Sequence, residues 1–182
     1  KLFYIPQNIS GKFGAGWAWD DYDYTFSTQK HAMPIYGNLI QINKRKGLNT
    51  TTTPSYFEQF LKKSNYTYNG ASRAIHDNTI TYSYKSLNSA YTDKFPMHMT
   101  NAIVLDLLEA ATGKVIQLKY NNLKFFKTKA ETIYSISTDE ALKKMMLPSD
   151  NFIAEQLLLV CASALDLPLN TKKVIEYAKK NI

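Results

Sequence analysis

A serine with a lysine three residues later can set a hydroxyl beside the amine that deprotonates it, because that spacing is close to one helical turn. Ser27-Thr28-Gln29-Lys30 has those letters. Its neighbours do not make the helix this chemistry needs, since Tyr22, Tyr24, Thr25, Phe26 and Thr28 favour extended or irregular backbone. A second candidate is Ser149-Asp150-Asn151, a hydroxyl and a carboxamide two residues apart just after Pro148. Read locally, it is a helix start with Ser149 as N-cap. From Asn151 onward Phe152, Ile153, Leu157, Val160, Cys161 and Ala164 recur at three- and four-residue spacing, which predicts a buried helix with Cys161 as an inert buried thiol.

Other chemistries find less support in the residues. Asp20, Asp21 and Asp23 invite a cation, but the mid-loop glycine and later bidentate glutamate of an EF-hand do not follow. A hydrogen-bonded aromatic loop running from Trp17 to Tyr24 is expected there instead. His31, His76 and His98 include no pair at metal-ligand spacing, and Gly11, Gly14 and Gly16 are out of register for a phosphate-binding loop. No metal and no cofactor are therefore assigned.

The elements that must position these side chains can be read from periodicity and punctuation. Residues 37–43 alternate apolar and polar around Leu39, Ile40 and Ile42, predicting a strand that runs into the basic turn Lys44-Arg45-Lys46-Gly47. The threonines at 50–53 lead into Pro54, a first-turn proline for a short helix carrying Tyr56, Phe57, Phe60 and Leu61. Residues 71–84 predict a β-hairpin around Asp77-Asn78. Residues 100–112 predict a helix ended by Gly113, and 115–120 and 132–137 predict strands. Ser137-Thr138-Asp139-Glu140 is a capping box for a helix reaching Met146, and a last basic helix starts at Thr171.

Composition bounds the class. With 182 residues, 45% of them apolar and 13% aromatic, the chain can bury a real core and is not disordered. No window is apolar enough to span a membrane, and the start at Lys1 without methionine suggests that something has been removed upstream. The formal charge of +7 permits an anionic partner. Nucleic acid is disfavoured, because base and phosphate recognition leans on arginine and only Arg45 and Arg73 are present.

Ser149-Asp150-Asn151-Phe152-Ile153-Ala154-Glu155-Gln156-Leu157-Leu158 resembles the second-motif helix of the D-alanyl-D-alanine carboxypeptidase family that includes the low-molecular-mass penicillin-binding proteins. Gly16-Trp17-Ala18-Trp19-Asp20-Asp21-Tyr22, followed by Met33-Pro34-Ile35-Tyr36-Gly37-Asn38, resembles the portion those enzymes carry in a large insertion between their first and second motifs. The resemblance runs in outline from Trp17 to the end and is specific in those two places. It implies an acyl-serine mechanism on peptidoglycan peptides, β-lactams as ligands of the intact enzyme, and a periplasmic or extracytoplasmic location. It also implies that Ser149 relays a proton near the nucleophile and leaving group, and that Asn151 positions substrate and the catalytic lysine. Asp150 is implied no role. Ser27 follows the Trp17-to-Asp21 signature, so it falls inside the insertion and not ahead of it, where the family nucleophile stands. Ser27 and Lys30 therefore read as a decoy. The third family motif, Lys-Thr-Gly, is not spelled after Asn151, and Lys127-Thr128-Lys129 lies on the wrong side and lacks the glycine.

The expected architecture is α+β, mainly antiparallel sheet in the middle with helices packed toward the C-terminus, as part of a transpeptidase-like enzyme. Residues 1–135 are expected to be a sheet-rich insertion region and 136–182 a helical segment of an incomplete transpeptidase-like domain. The expected function is a segment of a D-alanyl-D-alanine carboxypeptidase or endopeptidase with Ser149 and Asn151 as its catalytic residues, inactive alone because the nucleophile and the Lys-Thr-Gly motif are lacking. The alternative is a non-catalytic peptidoglycan-binding module in which rings near Trp17 and Trp19 stack on glycan while lysines meet acidic groups. Absent natural partners, the face around Leu157 to Val160 is expected to be exposed or paired in a homodimer.

Overall fold

The structure is a computed structural model that describes residues 2–45, 47–65, 70–83, 90–120 and 136–181. Strand β2 (Leu39–Lys44) organises the middle of the chain. Its two isoleucines, Ile40 and Ile42, point to one side of the pleat and are completely buried, as an alternating strand on a core requires. It is flanked on both sides by antiparallel neighbours, β3 (Thr51–Thr53) and β7 (Tyr91–Pro96), with Ile42 opposite Thr52 and Ile40 opposite Phe95. The expected hairpin is present as β5 (Gly70–Arg73) and β6 (Ile80–Ser83), joined through Asp77-Asn78. A third short strand, β4 (Leu61–Lys63), adds to β6 in parallel. Strand β1 (Leu2–Tyr4) pairs in parallel with β8 (Ile116–Leu118), apart from the other two sheets.

Helix α1 (Asn101–Thr112) begins and ends where the sequence says it should. The Thr100 hydroxyl accepts the Ile103 N–H at 3.2 Å, and Gly113 closes the helix at φ +65°. Its Val104 and Leu107 complete one core with Ile40, Ile42, Phe57 and Met97. Burying each such aliphatic side chain contributes about 2 kcal/mol, so this cluster fixes how the two larger sheets and α1 sit together. Among the described residues three further helices follow: α2 (Thr138–Met146), α3 (Asn151–Ala164) and α4 (Thr171–Asn181). Ser137 caps α2 by accepting the Glu140 N–H at 3.2 Å. The α+β class expected from the sequence is thus the one observed, with antiparallel pairing in the middle and helices toward the end.

Several local expectations need correction. The short helix after Pro54 is a tight three-residue-per-turn helix over Ser55–Phe60, and Leu61 already belongs to β4. Tyr56, Phe57 and Phe60 pack ring to ring there, with centroids 5.1 to 6.0 Å apart, as the near-eclipsed i and i+3 side chains of this short form allow. Cys161 is exposed, not buried. The apolar residues of α3 reach around more of its circumference than its neighbours cover, so Leu159 and Ala162 are enclosed while Val160 stays 62% exposed beside Cys161. Of the face expected to be open, then, Val160 is exposed and Leu159 is not. Most of the strand expected at 132–137 and all of Lys127-Thr128-Lys129 lie outside the described residues.

The C-terminal helices are fastened to the early part of the chain. Gln156 donates to the His31 carbonyl at 3.0 Å, and the Ser10 N–H donates to the Leu169 carbonyl at 3.0 Å.

Candidate functional site

The segment leading to the site is a pair of tight turns, Trp19–Asp23 and Thr25–Ser27, held by backbone hydrogen bonds from Tyr24 N–H to Asp21 O and from Ser27 N–H to Tyr24 O. The chain then passes beneath α3. Lys30 is 3% exposed, and its ammonium lies 2.7 Å from the Glu155 carboxylate and 3.5 Å from the Thr171 hydroxyl. Ser27 is 1% exposed, and its Oγ has no hydrogen-bond partner among the described residues. A hydroxyl buried this way cannot reach a substrate, and the amine that would activate it is committed to an ion pair. In this arrangement the Ser27 hydroxyl is enclosed and the Lys30 ammonium is bound to Glu155.

Ser149 is not the N-cap of α3. Asp150 is, with its Oδ1 accepting the Ile153 N–H at 2.9 Å. The reason lies in the end of α2. That helix closes with the Ser149 N–H on Met146 O and the Asp150 N–H on Met145 O, and Ser149 takes the left-handed conformation, φ +56°, that closes such a turn. The cap duty passes one residue on, and the Ser149 hydroxyl is left facing solvent. Asn151, the first residue of α3, is exposed beside it.

Both expected site residues line one cleft of about 430 Å³. The start of α3 forms one part of it, Thr25, Phe26 and Thr28 another, and Gly37, Leu39 and Lys94 contribute the rest. Lys94 arrives from β7, where it sits opposite Gln41 in the ladder. Sequence reasoning missed the threonines and Lys94, because only strand register and the buried Lys30 bring them to Ser149.

The Gly37 part of this cleft is built with backbone strain. Tyr36, Gly37 and Asn38 have φ of +53°, +62° and +53°. Only glycine takes that conformation freely, and each of the other two costs roughly 1–2 kcal/mol. Buried amides offset the cost. Asn38 Nδ2 donates to Gln29 O at 2.9 Å, its Oδ1 accepts the Ile35 N–H at 2.9 Å, and Gln29 Oε1 accepts the Met99 N–H at 3.1 Å.

The acidic run behaves as a hydrogen-bonded aromatic loop. Asp21 accepts the Ala18 N–H at 2.8 Å and Asp23 accepts the Arg73 N–H at 3.0 Å. Burial pushes the Asp23 carboxyl above its ordinary range, opposed by its hydrogen bond and attraction to Arg73. The Arg73 guanidinium donates to the carbonyls of Tyr22 and Asp77 at 2.9 Å and lies 5.0 Å from the centre of the Tyr22 ring. Among the described residues no group of three His, Cys, Asp or Glu side chains could hold a metal ion, and no helix is long and apolar enough to cross a membrane. His31 is buried with Nδ1 3.1 Å from the Met33 backbone, and burial holds its pKa low. His76 and His98 lie together with Trp17 and Trp19 around a separate cavity.

The fold resembles part of a penicillin-binding protein. Over 95% of its length the chain is similar to the crystal structure of penicillin binding protein 4 (dacB) from Haemophilus influenzae, with a TM-score of 0.56 and 20% sequence identity. It covers 44% of that protein and so spans less than half of its length. At this identity the likeness is one of fold. No protein-family model matches the sequence, and no curated relative matches it.

Proposed function

We propose that this chain is the insertion and second-motif segment of an acyl-serine D-alanyl-D-alanine carboxypeptidase or endopeptidase acting on peptidoglycan peptides in the periplasm or an equivalent extracytoplasmic space. The observation that carries the reading is the cleft at the start of α3, where Ser149 and Asn151 face solvent side by side in a chain whose fold resembles part of a penicillin-binding protein. In this reading the Ser149 hydroxyl, relieved of capping by Asp150, passes a proton between the nucleophile and the departing amine. The Asn151 carboxamide carries both a donor and an acceptor, which suits it to align a peptide group. Lys94 adds a cation to the same cleft for an anionic peptide end. Ser27 takes no part, and the nucleophile and its lysine come from outside these 182 residues, as does the Lys-Thr-Gly strand.

The test is intact-mass spectrometry of the 182-residue chain after incubation with benzylpenicillin, beside a Ser27→Ala variant. No covalent adduct is expected on either. An adduct on the wild-type chain that disappears in Ser27→Ala would make Ser27 the nucleophile and overturn the reading. The complete open reading frame must also encode a Ser-x-x-Lys helix ahead of this segment and a Lys-Thr-Gly strand after it; absence of both would sink the proposal.

A further inference from the structure

A second cavity, of about 420 Å³, lies between the loop carrying Lys12 to Tyr22, the Ile75-His76 turn of the β5–β6 hairpin, and His98 just after β7. None of its lining residues belongs to the Ser149–Asn151 cleft. Its volume is within the range of small-molecule sites, about 300–1,000 Å³.

Four aromatic rings contribute to its wall: Phe13, Trp17, Trp19 and Tyr22. Two of them have close neighbours and one stands open to water. Trp17 lies so close to Gly14 that a Cβ there would come within 2.8 Å of the indole, so glycine is what allows the approach. Tyr22 is held under the Arg73 guanidinium. Trp19 is 80% exposed, a large apolar face left to water beside a concavity.

Among the described residues the cavity has one cationic side chain, Lys12, and no anionic one. Lys12, His76 and His98 line it, and no carboxylate does. The Lys12 ammonium makes one hydrogen bond, to Met99 O at 3.1 Å, and no ion pair among the described residues, although it has three protons to donate. His98 is held below its ordinary pKa by burial first, then by Lys12, Arg73 and His76, with Asp77 opposing. Burial thus favours the neutral imidazole, which can donate one hydrogen bond and accept another, while Lys12 supplies the cationic donor beside it.

We propose that this cavity binds a carboxylated sugar, with the pyranose ring stacked on Trp19 and the carboxylate received by Lys12 and the imidazoles of His76 and His98. A pyranose presents an apolar C–H face to an aromatic ring and polar groups at its rim, which matches an exposed indole beside Lys and His. A phosphate fits less well, because among the described residues no arginine lines the space to grip it as a fork. The inference goes beyond the acyl-serine reading, uses none of its residues, and can fail while that reading holds.

The test is a calorimetric and ligand-observed NMR titration of the chain with N-acetylmuramic acid and with N-acetylglucosamine, which lacks the lactyl carboxylate, with sodium acetate as a control. The acid is expected to bind about tenfold more tightly than the neutral sugar. Lys12→Gln should remove that preference and leave neutral-sugar binding unchanged. Trp19→Ala should weaken both sugars about fivefold, and its exposure lets the variant keep the wild-type circular dichroism and Tm. Three results would overturn the proposal. They are no saturable binding of either sugar at tens of millimolar, sugar binding indifferent to Trp19→Ala, and acetate competing as well as the sugar acid, which would mean an adventitious ion only.

Discussion

Replacing Glu155 by glutamine should destabilise this protein far more than replacing its partner, Lys30, by methionine. At the 2.7 Å separation of Nζ and carboxylate oxygen, an effective dielectric of about 20 gives an attraction of roughly 6 kcal/mol. Desolvating each ion costs several kcal/mol, so the intact pair is close to balanced. The two ends differ in cover, Lys30 being 3% exposed and Glu155 22%. Glu155→Gln leaves an ammonium buried with only the 3.5 Å contact to Thr171 and a neutral amide to receive it, and should cost about 3 kcal/mol, the low end for a broken buried pair. Lys30→Met leaves a carboxylate that water can reach and should cost about 1 kcal/mol. With a urea slope of about 2 kcal/mol/M, the unfolding midpoint should fall by about 1.5 M in the first variant and about 0.5 M in the second. The double variant Lys30→Met/Glu155→Leu should return to within about 1 kcal/mol of wild type, since an apolar pair of similar volume replaces two desolvated ions. If Lys30→Met proves as costly as Glu155→Gln, the burial argument is wrong.

Other expected outcomes can be checked in the same way. Asp150→Ala should lose about 1 kcal/mol by thermal unfolding while Ser149→Ala stays within about 0.5 kcal/mol; equal losses would return the cap to Ser149. Ser149→Gly should be neutral or gain up to about 1 kcal/mol, because glycine accepts φ +56° without strain. Arg73→Lys should cost about 3 kcal/mol and alter the near-ultraviolet circular dichroism of Tyr22, since lysine cannot serve the carbonyls of Tyr22 and Asp77 together; an unchanged spectrum and Tm would refute the clamp. His31 and His98 are both held below their ordinary value of 6.5, chiefly by burial, so the unfolded chain binds protons that the folded one resists. Stability should therefore be full above that value and decline as pH falls through it, with a Tm lower at pH about 5 than at about 7.5, and with His31→Gln flattening the decline. A Tm independent of pH over that interval would contradict the assignment.

The parts of this fold legible in the sequence are those with local causes. The alternation at Ile40 and Ile42, the Asp77-Asn78 turn, the Thr100 and Gly113 ends of α1 and the Ser137 capping box each act within a few residues, and each element stands where those signals put it. Strand β3 escaped notice because Thr51–Thr53 reads equally well as the approach to Pro54, and only pairing with β2 makes it a strand. Strands β1 and β8 pair across more than a hundred residues, which no local pattern announces. At the site, Ser149 and Asn151 could be picked out by resemblance, but the cap on Asp150 is decided by how α2 ends, a left-handed turn at a non-glycine residue. The partner of Lys30 lies 125 residues away, so local residue types are reason to doubt Ser27 but do not reveal what holds Lys30. Cys161 was misread because a helix whose apolar residues reach beyond its covered side looks more buried than it is.

The central claim is tested most directly by β-lactam acylation of the full-length product of this gene, with the labelled residue mapped by peptide mass and the rate compared in Ser149→Ala and Asn151→Ala. The account predicts a label on a serine outside residues 1–182 and acylation slowed by about 100-fold or more in at least one of the two variants. A label on Ser27, or acylation at the wild-type rate in both variants, would contradict it.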